Sequence, residues 1–328
     1  MSACGLQHKF GFNGGMTLAP PPAPSFTALP PALPGSRLEL QTPAGAVCLY
    51  LPDAPNSAGQ TPLLLVHSVN ASASAFEVAP LFTHYSHTRP AYAIDLPGYG
   101  LSSRSDRPYT IRVMTDALLA ALAHIRGVHG GAAVDVLGVS LSCEYVARAA
   151  IEQPNAIRRI ALVSPTGFNG TKPYRGAPGS SRGIGWLHRL FSNPAWSQGL
   201  YNTLTRPAVI RYFLERTWGS KNIDEALWRY DVLTTRQPGA KYAPLYFLSA
   251  YLFAADITTL YEKLACPVWV SMPTRGDFTN YKGRGVVEGR ANWQFHVIDG
   301  GALPYFEDLA AFTDMLDRFF GVKMPVNQ

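Results

Sequence analysis

Apolar residues along the chain gather in short unbroken runs separated by longer amphipathic stretches. The runs are Pro62–Val66 (PLLLV), Ala91–Ile94 (AYAI), Val134–Val139 (VDVLGV) and Arg159–Val163. Runs of strand length without polar alternation predict strands covered on both faces. Between them, Ala75 to Tyr85, Thr110 to about Arg126 and Cys143 to Ile151 repeat at helical spacing, with Thr110 placed as an N-cap. Strand and helix therefore alternate over residues 62–167, which predicts a mostly parallel sheet with helices on both faces. Upstream, Leu38–Leu40 and Ala46–Leu51 flank Thr42-Pro43-Ala44-Gly45 and read as a hairpin.

The alternation stops at residue 168 and resumes near Asp256. The stretch 168–256 is glycine-rich between Gly176 and Gly185, then helical and aromatic, and reads as an inserted helical cap. Its aromatics serve either packing against the core or an apolar pocket beneath a lid. A short helix at Asp256–Tyr261, strands at Val268–Val270 and Gln294–Ile298, and a helix from about Phe306 to Phe320 complete the pattern. The core is thus expected over 37–167 and 257–322. Residues 1–36, with Pro20-Pro21-Pro22 and Pro30-Pro31, read as a disordered or polyproline tail, and 323–328 as a second tail. Met16 reads as a second candidate start.

In open α/β sheets ligands sit at the carboxyl ends of the strands. Four such ends carry polar or glycine-rich clusters, at His67, Asp95, Ser140 and Ser164. The most informative is Gly138-Val139-Ser140-Leu141-Ser142, where a strand runs through a small-residue turn into a helix. That is the G-x-S-x-G nucleophile elbow with serine in place of its last glycine.

Composition narrows the function classes. The hydrophobic share of 47% is that of an ordinary soluble globular chain. No apolar run approaches the roughly 20 residues that span a bilayer. Cys4, Cys48, Cys143 and Cys266 lack metal or disulfide spacing and fit free thiols of a reducing compartment. With no apolar leader at the start, a cytoplasmic location is expected. The net charge of +6 is not arranged as Lys/Arg stripes with interleaved aromatics, so no nucleic-acid partner is implied. The excess lies in 168–256, where eleven Lys and Arg face five Asp and Glu. It forms either a solvated basic surface or a field favouring an anionic substrate or a membrane surface. No G-x-G-x-x-G follows a strand, and neither a metal nor an organic cofactor is implied.

Five features in order then resemble the α/β-hydrolase superfamily, in its capped esterase, dehalogenase and C–C hydrolase-like branch. They are the His67-Ser68 loop, the Asp95–Ser102 turn (DLPGYGLS), the elbow at Ser140, Asp277 after the strand that follows the cap, and Gly301-Ala302-Leu303-Pro304-Tyr305-Phe306-Glu307-Asp308. The resemblance spans roughly residues 37–322 and implies roles. Ser140 would be the nucleophile, the N–H groups of Val69 and Leu141 the oxyanion hole, and Asp277 the triad acid, one residue later than the usual G-x-x-D spacing. The family motif G-H-x-P-x-x-E is matched except at its histidine, where Ala302 stands. His67 at the sheet edge and His188 in the cap are the candidate substitute bases. Glu144 is expected to be a salt-bridge partner.

Two functions follow. One is an enzyme acting through Ser140 on a small apolar ester, thioester or related carbonyl compound with an atypical triad. The other is a non-catalytic member that binds a ligand or partner in the inherited pocket, since serine without a base is a poor nucleophile. A lyase or transferase step is a third reading. Nothing in the sequence sets an oligomeric state.

Overall fold

A computed structural model describes residues 27–43, 45–52 and 60–322. The elements in chain order are β1 (Arg37–Thr42), β2 (Gly45–Tyr50), β3 (Leu63–Val66), α1 (Ala79–Ser86), β4 (Ala91–Ile94), α2 (Ile111–Val128), β5 (Val134–Val139), α3 (Ser142–Glu152) and β6 (Ile157–Val163). Five helices follow without a strand: α4 (Gly185–Phe191), α5 (Ser197–Leu204), α6 (Pro207–Trp218), α7 (Glu225–Thr235) and α8 (Tyr242–Leu248). The chain then returns through α9 (Ile257–Lys263), β7 (Val268–Pro273), β8 (Trp293–Ile298) and α10 (Leu309–Phe320).

The eight strands form one sheet in the order β1-β2-β4-β3-β5-β6-β7-β8. β1 and β2 are antiparallel, β2 meets β4 antiparallel, and every other pairing is parallel. The unbroken apolar runs divide between two cores because side chains alternate along a strand. Leu64, Val66, Val136, Ile160, Leu162, Val268 and Val270 face α2, α3 and α9. Leu63, Leu65, Leu137, Val139, Ala161, Val163 and Trp269 face α1 and α10. At the amino end of β5, buried Asp135 is held by Arg89 at 2.5 Å and by Arg158 at 2.6 and 2.8 Å. Paired guanidinium groups offset the cost of taking that carboxylate out of water.

The helix expected from Ala75 starts as a 3-10 turn at Ala75–Val78 before α1 begins, with Pro80 in the first turn of α1. Thr110 caps α2 as expected, its hydroxyl accepting from the Val113 N–H. The last helix starts three residues later than expected, because Pro304–Phe306 forms a separate 3-10 turn.

The expected tail divides. Residues 1–26 and 323–328 lie outside the described residues. Residues 27–36 pack on the molecule. Ala32 and Leu33 are buried, the Ala32 N–H donates to the Tyr50 hydroxyl, and Tyr230 and Gln237 of the helical insertion donate to the Pro30 and Thr27 carbonyls. The proline content suggested an unattached segment, yet side-chain donors from elsewhere supply the partners its backbone lacks.

Candidate active site

The turn from β5 into α3 places Ser140 at φ 53°, a left-handed conformation that a non-glycine residue holds only at a cost. The surroundings fix it. The Ser140 N–H donates to the Val163 carbonyl at 2.8 Å. Ser142, the residue replacing the usual glycine, is buried, and its hydroxyl accepts from the Val139 N–H and bonds the Val139 carbonyl, both at 2.9 Å. The substitution thus installs a side-chain clamp at the elbow, which the residue's small size alone did not reveal.

Ser140 opens on a partly open cavity of about 190 Å³. Its wall comes from the loop after β3 (Ser68, Val69, Asn70, Glu77), the elbow (Val139, Leu141), Thr166, the loops after β7 and β8 (Phe278, Ala302, Leu303), and the helical insertion (Leu214, Thr217, Phe247, Phe253). Most of this surface is apolar. The hydroxyl of Ser140 and the N–H groups of Val69 and Leu141 have no hydrogen-bond partner among the described residues. Two free backbone donors and a free hydroxyl on one small apolar cavity can receive a carbonyl group: its oxygen between the donors, its carbon against the serine.

The loop bearing Val69 is stiffened by a residue the sequence reading passed over. Glu77 is buried, and its carboxylate accepts from the Ser68 N–H at 2.7 Å, the Ser68 hydroxyl at 2.8 Å and the Asn70 amide at 3.0 Å. Asn70 accepts in turn from the Ser72 N–H at 2.7 Å. Among the described residues, Glu77 is the only titratable side chain on the cavity wall. Behind it, Ser72 donates at 3.0 Å to Asp231 of α7, whose other oxygen has no partner. Burial first, and the charge of Glu77 second, push the Asp231 carboxyl well above the usual range, which favours its protonated form.

The candidates for acid and base lie elsewhere. Asp277 is half exposed and does not line the cavity; both its oxygens bind the Arg216 guanidinium of α6, at 2.6 and 2.7 Å. His67 is fully buried with both ring nitrogens engaged, Nδ1 with the Ser68 carbonyl at 2.5 Å and Nε2 accepting from the Leu96 N–H at 2.9 Å. It braces the loops after β3 and β4 and does not reach the cavity. His188 lies in the insertion, its Nδ1 3.1 Å from the Ser249 hydroxyl and its ring 4.0 Å from that of Tyr246, on a separate cavity. Burial lowers its pKa, favouring the neutral ring. Neither histidine is brought to Ser140.

Ala302 does line the cavity, anchored from two sides. Its N–H donates to the Thr217 carbonyl at 2.9 Å, and its carbonyl accepts from the Ser164 hydroxyl at 2.8 Å. Thr217 belongs to the last turn of α6, a region the sequence did not connect with the site. That turn presents carbonyls that lack helical partners. The Asp277 N–H takes the Arg216 carbonyl at 3.1 Å, and Ala302 takes the next. Glycines permit the approach. A Cβ on Gly276 would lie 2.5 Å from the Arg216 carbonyl oxygen, and one on Gly301 2.5 Å from Trp218 Cα. The two loops where the resemblance places acid and base therefore cap a helix.

Glu144, directly below the elbow, is a fully buried brace. It accepts from Thr166 at 2.6 Å, from the Ala254 N–H at 2.7 Å and from Arg182 at 3.0 Å, and burial raises its pKa against the pull of Arg182. Cys143 is buried, and the loss of solvent pushes its thiol well up, away from a reactive thiolate. Among the described residues no group of His, Cys, Asp and Glu could hold a metal ion, and no helix is long and apolar enough to cross a membrane.

Comparison with known proteins agrees with this fold. A model of the alpha/beta hydrolase family matches residues 63–315. Among solved structures, the chain is similar to 2-hydroxy-6-oxo-6-phenylhexa-2,4-dienoate hydrolase from Rhodococcus sp. strain RHA1. That match has 15% identity and a TM-score of 0.65, over 88% of this chain and 99% of that one. A probable hydrolytic enzyme from Pseudomonas aeruginosa PAO1 shows 18% identity and a TM-score of 0.68, over 90% and 96%. The enol-lactonase from Burkholderia xenovorans LB400 shows 16% and 0.65, over 87% and 100%. A search of curated protein sequences finds no match. The family match covers most of the chain, the sheet carries the matching topology, and a strained serine stands at the turn out of β5: the protein belongs to the alpha/beta hydrolase family.

Proposed function

We propose that the protein handles a small apolar ester, thioester or related carbonyl compound at Ser140, through a site whose triad is incomplete. The observation carrying this reading is the free Ser140 hydroxyl beside the unpartnered N–H groups of Val69 and Leu141 on one apolar cavity. The helices α4–α8 act as a cap, with Leu214, Thr217, Phe247 and Phe253 forming the roof. A cavity of about 190 Å³ suits a short acyl group. The basic balance of the cap leaves an anionic ligand admissible.

In this reading the carbonyl oxygen binds the two N–H groups, Ser140 Oγ attacks the carbonyl carbon, and collapse of the tetrahedral adduct breaks the ester C–O or thioester C–S bond, so that the alcohol or thiol leaves carrying the proton the serine gave up. The serine proton goes to a group other than histidine. Glu77 is the candidate acceptor, because among the described residues it is the one carboxylate on the wall, and three donors leave part of its oxygen surface open. An oxyanion hole and binding alone supply roughly 10³–10⁴-fold over water, so turnover is slow beside a complete triad. Incubation with short p-nitrophenyl esters and acyl thioesters tests this. An acyl adduct on Ser140, seen by intact mass and lost in Ser140→Ala, is the expected result. Wild-type turnover no greater than that of Ser140→Ala, with no adduct, would sink it.

A second reading is a non-catalytic member that binds such a ligand without turning it over. It is favoured by the use of the Asp277 and Ala302 backbones to cap α6. Saturable binding of a short carbonyl compound, unchanged by Ser140→Ala and without an adduct, separates it from the first.

A further inference from the structure

The outer face of α4 lies away from the cavity and exposes large apolar side chains. Trp186 is 66% exposed, Leu190 46%, Trp196 46% and Ile184 39%. Trp186 and Leu190 are four residues apart and share one side of the helix. The Trp196 indole N–H donates to the Leu190 carbonyl at 2.9 Å, which holds that ring beside the end of α4. The opposite side of α4 docks inward through His188, whose ring lies against Tyr246 and Tyr251. Two tryptophans and two aliphatic residues thus face solvent within one short segment.

Along this segment the charge has one sign, while Asp106 and Lys241 lie together on the neighbouring cavity that Ser192 and Pro194 line. From Gly176 to Leu214 the chain carries four arginines and no Asp or Glu. Arg182 pairs with Glu144 and Arg211 with Glu225. Arg189, in α4 itself, and Arg206, just before α6, are exposed and form no ion pair among the described residues. A symmetric contact between two copies would bring the same arginines together without an acid from this segment to answer them. An anionic surface supplies the missing charge. Tryptophan suits the headgroup boundary, where a ring meets both apolar chains and water.

We propose that this face seats the protein on an anionic lipid surface. Trp186, Leu190 and Trp196 enter the headgroup boundary, Arg189 meets lipid phosphates, and Arg206 adds to the positive charge of the segment. The inference is independent of what happens at Ser140.

Co-sedimentation of the full chain with lipid vesicles tests it. Phosphatidylcholine vesicles containing phosphatidylglycerol should bind at least about tenfold more protein than phosphatidylcholine alone, through charge and buried apolar area together. Trp186→Ala combined with Leu190→Ala should lower that partition roughly tenfold. Arg189→Glu with Arg206→Glu should remove the preference for anionic vesicles. All four side chains are exposed, so unchanged far-ultraviolet circular dichroism is expected and confirms that each variant is folded. Three results would overturn the proposal: no binding to anionic vesicles above background, binding that survives both pairs of substitutions, or a self-associated species that Trp186→Ala dissolves while vesicles bind nothing.

Discussion

The cavity has two halves with different fates. On one side, the elbow and the loop after β3 keep an arrangement suited to a carbonyl: Ser140 at positive φ, free N–H groups on Val69 and Leu141, and Glu77 holding the loop in place. On the other side, the polar groups of the loops after β7 and β8 serve the end of α6. Asp277 binds Arg216, and the backbones of Asp277 and Ala302 satisfy the last carbonyls of that helix. The contrast teaches that the nucleophile half is self-contained, built within one strand-turn-helix and one neighbouring loop. The acid–base half depends on loops that any adjoining helix end can recruit.

The largest effect should come from breaking the first half at Glu77. Glu77→Ala leaves the Ser68 N–H, the Ser68 hydroxyl and the Asn70 amide without their acceptor in a buried place. A loss of ~3 kcal/mol in urea unfolding is expected, since hydrogen bonds to a charged group are the costly ones to lose. Acylation of Ser140 should disappear with it. Next comes the second half. Gly301→Val places a side chain against the Trp218 backbone, and ~2 kcal/mol of overpacking is expected, with faster hydrogen exchange confined to the end of α6.

Asp231 gives a pH-dependent test behind the oxyanion loop. Its carboxyl is raised in the folded protein by burial and by Glu77, so the native state binds a proton that the unfolded chain has released. Its contribution to stability is complete below the unfolded carboxyl pKa and is lost as pH rises toward the folded one. Asp231→Asn should therefore raise the melting temperature near pH 8 and leave it unchanged near pH 4, the region where unfolded carboxylates titrate. A lower melting temperature at both pH values would contradict this. Ser142→Ala removes the elbow clamp and should cost ~1 kcal/mol by chemical denaturation. Smallest of all, Arg216→Ala frees the exposed Asp277 carboxylate and should leave both stability and Ser140 acylation nearly unchanged.

Much of the fold could be read from the sequence because its signals are local. Buried parallel strands are unbroken apolar runs, and the elbow lies within five consecutive residues. The candidate site was less legible wherever it joins distant segments. Glu77 lies in Ala75–Val78, which looks like an ordinary helix start; only folding brings its carboxylate to the Ser68 N–H. The direction of Asp277 is set by Arg216, sixty-one positions earlier in an insertion whose packing leaves no periodic trace. His67 stands at the sheet edge where the sequence puts it, but two backbone partners occupy its nitrogens. The segment 27–36 joins the fold through donors from Tyr230 and Gln237, which composition cannot register.

The most direct test is the rate at which a serine-directed fluorophosphonate labels Ser140 in the wild type and in Ala302→His. A nucleophile half left intact beside a missing base should label slowly in the wild type, with mass spectrometry placing the adduct on Ser140. An imidazole there should then raise that rate by roughly a hundredfold, the low end of what a general base supplies, because Asp277 stays turned toward Arg216. Absence of labelling in both proteins, or a wild-type rate that already equals that of a complete Ser-His-Asp hydrolase and does not rise in Ala302→His, would contradict the division of the site into a kept half and a reassigned one.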